Sequence, residues 1–115
     1  SGEMMDHIHV SRWADQMILC PATANVINKL AAGIADDPVT TVWIAGHGID
    51  IPKILVPAMN THMWQYPATQ ASLKQLAKWG VSVMPTAAGE LACGEVGAGR
   101  MPEIEVILSF VEEHA

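Results

Sequence analysis

The sequence contains little positive charge. Its 115 residues include 6 lysines and arginines against 12 aspartates and glutamates, a formal net charge of −6. A nucleic-acid-binding domain needs a basic surface that neutralises phosphates, so this balance argues against such a partner. The sequence also lacks an apolar run of about 18 residues and a charged segment followed by an apolar one at its start. We therefore expect no membrane-spanning helix, no secretory signal and a cytoplasmic location.

Cysteine is scarce as well. Cys20 and Cys93 are too few for a disulfide framework, and neither belongs to a CxxC or Cys/His pattern with zinc spacing. The five histidines lack paired ligand spacing, so no metal site is expected. Cys20 lies in an apolar run and is expected to be inert. No Walker loop, GxGxxG or Ser/His/Asp motif is present, which argues against the common nucleotide-binding and hydrolase classes.

What is present is an apolar, globular composition: 50% of the residues are hydrophobic and 16% are charged. We expect one domain over residues 1–115. Short apolar runs at residues 17–20, 54–56 and 81–83 predict strands, the first two buried. Helices are predicted from Thr23 to about Ala35, over residues 67–78 with Leu73, Leu76 and Ala77 inward, and from Pro102 with an apolar face of Ile104, Ile107, Leu108 and Val111.

Two segments are less determined by pattern. Residues 39–45 are rich in β-branched side chains and fit a strand or a helix, and the Asp37-Pro38 start signal favours the helix. Residues 86–101 are predicted to form a glycine-rich loop. The alternation of strands and helices predicts an α/β fold, a three-layer Rossmann/flavodoxin-like parallel sheet with helices on both faces.

In such sheets ligands bind at the carboxyl ends of the strands, here in the loops at residues 21–25, 57–64 and 85–101. The first loop leads straight into a helix, whose free N–H groups favour an anion or a polar ring edge. The alternative is that Thr23 and Asn25 only cap that helix. In the second loop Asn60 has donors and an acceptor suited to a carboxylate or an amide. The alternative there is a turn asparagine beside a Met/Trp core pair.

The third loop contains Cys93 among glycines. A thiol with an ordinary pKa near 8.5 is protonated at neutral pH and can donate a proton. Near the start of the chain, His7 and His9 precede Trp13-Ala14-Asp15. Histidine is the natural base near neutral pH, although a surface histidine is the commoner interpretation at such a position.

Four segments, taken in order, resemble one known family, the homo-oligomeric flavin-containing cysteine decarboxylases. The likeness covers essentially the whole chain. The third segment matches the family's Pro-x-Met-Asn-x-x-Met-Trp motif completely, and the fourth resembles the phosphopantothenoylcysteine branch. The segments are His7-Ile8-His9-Val10 with Trp13-Ala14-Asp15, Pro21-Ala22-Thr23-Ala24-Asn25, Pro57-Ala58-Met59-Asn60-Thr61-His62-Met63-Trp64, and Ala92-Cys93-Gly94-Glu95 with Gly99-Arg100-Met101.

The resemblance implies FMN as cofactor and 4'-phosphopantothenoylcysteine as substrate, which is decarboxylated to 4'-phosphopantetheine in coenzyme A synthesis. The mechanism it implies begins with oxidation of the substrate thiol by FMN to a thioaldehyde, which loses CO₂ to give an enethiolate. Reduced flavin would then return a hydride. His7 would be the active-site base, whereas His9, at a position that varies in the family, would not, and Cys93 would donate a proton. Asn60 would hold the substrate carboxylate and Ala92 would contact the substrate. Thr23, Ala24, Asn25, Val26 and Ala58 would line the FMN.

The chain departs from the family pattern in three ways. Val10 and Thr23 are conservative replacements of the commonest residues. The family's first strand, glycine-rich phosphate loop and first helix, which precede the position of His7, are absent, and so is the synthetase domain after Ala115. We therefore expect an upstream polypeptide that completes the flavin site, in a homotrimer or a multiple of trimers. Two alternatives remain: a flavin-binding regulatory subunit of the same fold, and an inactive part of the domain. The presence of His7, Asn60 and Cys93 together favours the enzyme.

Overall fold

The computed structural model describes residues 14–90 and 96–115. Its strands and helices alternate along the first part of the chain, and a hairpin and a last helix follow. In chain order they are β1 (Met17–Ala22), α1 (Ala24–Ala32), α2 (Pro38–Ala45), β2 (Lys53–Pro57), α3 (Thr61–Gln65), α4 (Pro67–Lys78), β3 (Ser82–Val83), β4 (Ala87–Glu90), β5 (Val96–Arg100) and α5 (Ile104–His114).

Strands β1, β2 and β3 form a parallel sheet in that order, and β4 and β5 form an antiparallel pair. Met17 pairs with Lys53 and Ala22 with Pro57, so β1 and β2 end side by side. Parallel strands need crossover connections, and helices supply them here. The parallel sheet with helices confirms the predicted α/β fold.

The centre of the sheet is β2, whose side chains alternate between two apolar clusters. Leu55 packs in a cluster with residues of α1 and α4, whereas Ile54 and Val56 pack with Met84 and with Ile107 of α5. All three β2 side chains are fully buried. Burial of each stabilises the fold by about 1.5–3 kcal/mol. A strand covered on both faces reads as a continuous apolar run, which is why residues 54–56 were easy to predict.

The helix starts follow the predicted signals. Thr23 caps α1 by accepting the N–H of Val26 at 3.3 Å, and α1 ends at Gly33, whose φ of 75° stops the helix before the predicted Ala35. Asp37 and Thr40 form a capping box with Pro38 in the first turn of α2. This arrangement confirms a helix at residues 39–45.

Other predictions were wrong. Residues 86–101 were predicted to form a loop, but residues 87–90 and 96–100 form the paired strands β4 and β5. The region predicted as a loop after β2 contains the five-residue helix α3. The first strand was predicted to be buried, but among the described strands it pairs with β2 alone, and Ile18 and Cys20 are exposed. Cys20 is therefore not a core cysteine.

Two helix faces were also partly wrong. Ala77 is exposed on α4, and Thr69 takes a buried position instead, beside Leu73 and Leu76. On α5 only Ile107 is buried, Phe110 and Val111 are half-buried, and the predicted inward residues Ile104 and Leu108 are exposed. None of the helices in the described part of the chain has the length and apolarity needed to cross a bilayer.

Candidate functional site

Two segments leave the carboxyl edge of the sheet side by side. Ala22 at the end of β1 accepts a hydrogen bond from the N–H of Ala58, 3.1 Å away, just after β2. The start of α1 and the loop at residues 58–60 are therefore neighbours. Ala22 and Ala24 are buried while Thr23 and Asn25 are exposed, so small side chains lie beneath polar ones. This is the edge where open α/β sheets bind ligands.

The N-terminus of α1 offers two unused donors. The N–H of Val26 bonds to the Thr23 side chain, and the N–H of Ile27 bonds to the Thr23 carbonyl at 2.9 Å. Within the part of the chain that the structure describes, the N–H groups of Ala24 and Asn25 have no partner. Helix N-termini carry partial positive charge, so these donors fit the carbonyl and nitrogen acceptors of a flavin ring. Thr23 is thus a capping residue, and the cap leaves both donors available.

The side-chain amide of Asn60 is hydrogen-bonded at its oxygen only, among the described residues. Its Oδ1 atom accepts the N–H of Met63 at 2.9 Å and caps α3. The Nδ2 group has no partner among the described residues, and the side chain is exposed. Asn60 is therefore a helix cap rather than a turn residue, and its Nδ2 group remains available to a ligand. Trp64 packs against the main core, but Met63 is 52% exposed, so the two do not form a buried pair.

The β4–β5 hairpin lies against the Asn60 loop. Gly99 of β5 accepts the N–H of Met59 at 2.8 Å, and its own N–H donates to Thr86 Oγ1 at 3.1 Å. A Cβ atom on Gly99 would lie 2.6 Å from the Met59 carbonyl oxygen, and the φ of Gly99 is 100°. Only glycine permits so close an approach in this conformation. The two strands on either side of residues 91–95 are thereby joined to the loop that carries Asn60.

The structure brings together six of the predicted site residues at one edge of the sheet: Thr23, Ala24, Asn25, Val26, Ala58 and Asn60. Val26 is half-buried and packs against the main core. His7, Ala92 and Cys93 lie outside the described residues, as does His9. Among the described residues no cluster of His, Cys, Asp and Glu is arranged to hold a metal ion.

Gln70 was missed by the sequence analysis. Its Nε2 group donates to the Trp64 carbonyl at 2.6 Å and joins α4 to α3. A glutamine in the first turn of a predicted surface helix carries no pattern that marks it, because its role depends on which backbone atom lies opposite. Gly99 belongs to the fourth segment of the resemblance, but nothing in the sequence indicated its contact with Met59.

An open parallel sheet with unused helix N–H donors and small side chains at its carboxyl edge defines a protein that binds a nucleotide-like cofactor. The chain belongs to the Flavoprotein family, which matches residues 1–115.

Curated relatives give the same result. The coenzyme A biosynthesis bifunctional protein CoaBC of Bacillus subtilis is 44% identical over 111 residues, which are 96% of this chain and 27% of that protein. The phosphopantothenoylcysteine decarboxylase of Mus musculus is 40% identical over 106 residues, 92% of this chain and 52% of that protein. A probable phosphopantothenoylcysteine decarboxylase of Streptococcus mutans is 38% identical and is covered to 62%. The chain thus spans about a quarter to three fifths of these relatives.

Solved structures agree with the fold. A mutant of PPC decarboxylase complexed with pantothenoylaminoethenethiol has a TM-score of 0.84 at 36% identity, over 93% of this chain and 58% of that one. The FMN binding protein AtHal3 has a TM-score of 0.83 at 37% identity, over 93% of this chain and 57% of that one. These similarities confirm the predicted flavoprotein fold.

Proposed function

We propose that this chain is part of a cytoplasmic, FMN-dependent decarboxylase that converts 4'-phosphopantothenoylcysteine to 4'-phosphopantetheine in coenzyme A biosynthesis. The observation that carries this proposal is the geometry of Asn60. Its amide is fixed by the α3 cap, its Nδ2 donor is available, and it lies two residues beyond Ala58, which bonds to Ala22 just before α1. The relatives named for this reaction support it.

The cofactor site lies at the start of α1 and the end of β2. Ala24 and Asn25 would donate backbone N–H groups to acceptors of the flavin ring, and Thr23, Val26 and Ala58 would line it. FMN, when bound, supplies the capacity to oxidise the substrate thiol. The alanine side chains at positions 22, 24 and 58 add little bulk at this edge of the sheet, which suits a flat ring.

Asn60 would hold the substrate carboxylate through Nδ2. Because an amide is neutral, it orients the carboxylate without stabilising its charge as strongly as a lysine or arginine would. Loss of CO₂ moves that charge from the carboxylate onto the enethiolate, so a weaker hold on the carboxylate in the ground state leaves a smaller barrier. His7 would act as the base, Cys93 as the proton donor, and Ala92 as a further contact with the substrate.

The free edge of β1 supports a completing polypeptide. Among the described strands β1 pairs with β2 alone, and Ile18 is 43% exposed. An apolar groove of about 490 Å³ runs beside it, lined by Ala14, Ile18 and Val39 among others. We propose that an upstream segment adds a strand here and supplies the phosphate end of the flavin site, within a homotrimer or a multiple of trimers.

A second candidate is a flavin-binding regulatory or interaction subunit of the same fold. The observation that favours it is the exposed apolar side of α5, where Ile104 and Leu108, one turn apart, are both more than half exposed. Large exposed apolar surfaces mark interaction sites. In that case the protein would bind flavin without releasing CO₂, and a substitution of Asn60 would leave flavin binding unchanged.

The test begins with a visible absorption spectrum and the intact mass of every polypeptide in the purified protein, followed by an assay of CO₂ release. The decisive variant is Asn60→Asp, which keeps the capping oxygen and replaces the amide donor by a charge that repels a carboxylate. We expect flavin to be retained and CO₂ release to fall by about 100-fold or more.

The matched control is Gln65→Glu, the same change of an amide to an acid at an exposed position of α3. It should leave both properties unchanged. Flavin bands with no CO₂ release would favour the regulatory subunit. A protein that binds no flavin would contradict both candidates.

A further inference from the structure

Helix α4 is hydrogen-bonded through side chains to both segments of the candidate site. Gln70 Nε2 donates to the Trp64 carbonyl at 2.6 Å, at the end of α3. Ser72 Oγ donates to Asn28 Oδ1 on α1 at 2.7 Å, and Asn28 Nδ2 donates to Thr69 Oγ1 at 3.4 Å. We call Thr69, Gln70 and Ser72 the α4 clasp. None of these three residues is among the predicted cofactor-binding or substrate-binding residues.

The bond from Gln70 bears on Asn60 because α3 is very short. A helix of five residues has no independent stability in water, and its last carbonyls lack helical partners. Asn60 accepts a backbone N–H in the first turn of α3, and Gln70 donates to a backbone carbonyl at the C-terminal end of α3. With its C-terminal end fixed to α4, α3 has one orientation, and so does the asparagine that caps it.

The bonds from Ser72 and Thr69 bear on α1. Asn28 lies one turn beyond Ala24, the first residue of that helix, and both ends of its amide are occupied. Thr69 is 1% exposed, so this contact lies at the buried boundary between α1 and α4. The apolar contacts of Ile27 and Leu73 hold the helices together but are not directional, whereas the amide bonds set their register.

We propose that the α4 clasp is a positioning device with two separate parts, Gln70 for the substrate end of the site and Ser72 for the flavin end. This inference rests on the proposed function. Gln70 acts on Asn60 through α3, and Ser72 acts on the N–H donors of α1 through Asn28. Both are positioning residues, since each acts through a residue of another helix, and their two effects are separable because those helices differ.

The experiment compares Gln70→Met and Ser72→Ala in the intact protein. Gln70→Met keeps the length of the side chain and removes the donor, so KM for the substrate should rise about five- to tenfold while the Kd for FMN stays unchanged. Ser72→Ala should raise the Kd for FMN about fivefold, with KM unchanged at saturating FMN. FMN binding is measured by fluorescence titration of the apoprotein, and KM by CO₂ release.

Two further variants separate positioning from general damage. Gln75→Met makes the same change on the same helix, at a glutamine whose side chain makes no hydrogen bond within the described residues, and should alter neither constant. Ser72→Thr restores a hydroxyl and should recover wild-type FMN affinity. If Gln70→Met does not fold, Gln70→Asn, which shortens the reach of the amide, is expected to show the same selective rise in KM.

Two results would overturn the inference. The first is that Gln70→Met and Ser72→Ala each change both KM and the Kd for FMN, or that each changes neither, as expected for Gln75→Met. The clasp would then have no divided role, although the wild type binds FMN and releases CO₂. If the wild type binds no FMN, the proposed function fails, and the division between the two ends of the site fails with it.

Discussion

At the residue scale, capping and ligand binding call for the same kinds of side chain. Thr23 and Asn60 each follow a strand and each cap the helix that comes next. Sequence patterns therefore could not separate the two interpretations, since a cap and a ligand both need a short polar group at a helix start. The structure shows that they are compatible. One atom of Asn60 serves the cap, and the other end of the amide is left for a ligand.

Gly99 is the residue whose replacement should harm the site without touching its polar groups. Gly99→Ala places a Cβ atom 2.6 Å from the Met59 carbonyl oxygen in a backbone whose φ of 100° disfavours side chains. We expect the free energy of unfolding to fall by about 1–3 kcal/mol from the backbone conformation alone, with a further cost from the clash. Urea unfolding monitored by tryptophan fluorescence measures it.

Two other glycines provide graded controls. Gly33 has a φ of 75° but open space around its Cβ position, so Gly33→Ala should cost only the conformational part, about 1–2 kcal/mol. Gly48 has neither a positive φ nor a neighbour within 4 Å, and Gly48→Ala should change stability by less than about 0.5 kcal/mol. If Gly99→Ala and Gly33→Ala lowered the free energy of unfolding equally, the hairpin would not press against Met59.

At the element scale, the segments with clear start and stop signals were predictable, and those defined by tertiary contacts were not. Thr23, Asp37 and Gly33 mark helix ends by local chemistry, and the buried β2 is a plain apolar run. The β4–β5 hairpin contains several glycines and no alternation of apolar and polar side chains, so nothing in the sequence predicts a strand there. Helix α3 is too short to show a helical period.

The wrong face of α5 has a geometric cause. Within the described residues, the helix packs on Ile54 and Val56 of β2 through a narrow contact made by Ile107 with Phe110 and Val111. Ile104 and Leu108 have helical spacing but lie outside that narrow contact. Periodicity predicts which residues share a face, but it cannot predict how wide the partner surface is.

The cap of α2 should give this helix a pH-dependent contribution to stability. The Asp37 carboxylate accepts the backbone N–H of Thr40 at 2.8 Å, which holds the pKa of Asp37 below its ordinary value of 3.8. A lowered folded-state pKa means that the stabilisation is present above the unfolded pKa and is lost as pH falls through the folded one. Asp37→Asn keeps a capping oxygen and removes the charge.

We expect the wild type to be more stable than Asp37→Asn at neutral pH, and the difference to shrink as pH falls below about 4. Urea unfolding of both proteins between about pH 3 and pH 7 provides the measurement. A difference that does not change with pH would mean that the charge of Asp37 is not what stabilises the cap.

At the scale of the whole molecule, the place of the site could be predicted but its internal support could not. Parallel strands joined by helices place their loops at one edge, so residues near 23, 58 and 60 were expected to meet there. The clasp depends on how α4 packs against both α3 and α1, and its hydrogen bonds join residues 6 and 44 positions apart along the chain. No local pattern contains that information.

The apolar surface of the described chain bears on assembly. Ile18 and Val39 border the free edge of β1, and Ile104, Val106 and Leu108 lie exposed on α5. For a domain of this size that is a large amount of exposed apolar side chain, and covering it would stabilise an oligomer. The proposed trimer would use such surface, and the proposed completing strand would use the edge of β1.

If the flavin site depends on assembly, dissociating the oligomer should release the cofactor. We expect sedimentation of the flavin-loaded protein to show a trimer or a multiple of trimers at micromolar concentration. On dilution, the fall in the sedimenting mass of the oligomer and the rise in free-flavin fluorescence should occur over the same concentration range. Dissociation of the subunits removes the partner surface and, with it, the contacts that hold the flavin ring. Flavin that stays bound to a monomer would show that one copy, with its completing segment, forms the whole site. Flavin that leaves while the oligomer persists would place the cofactor away from the subunit contacts.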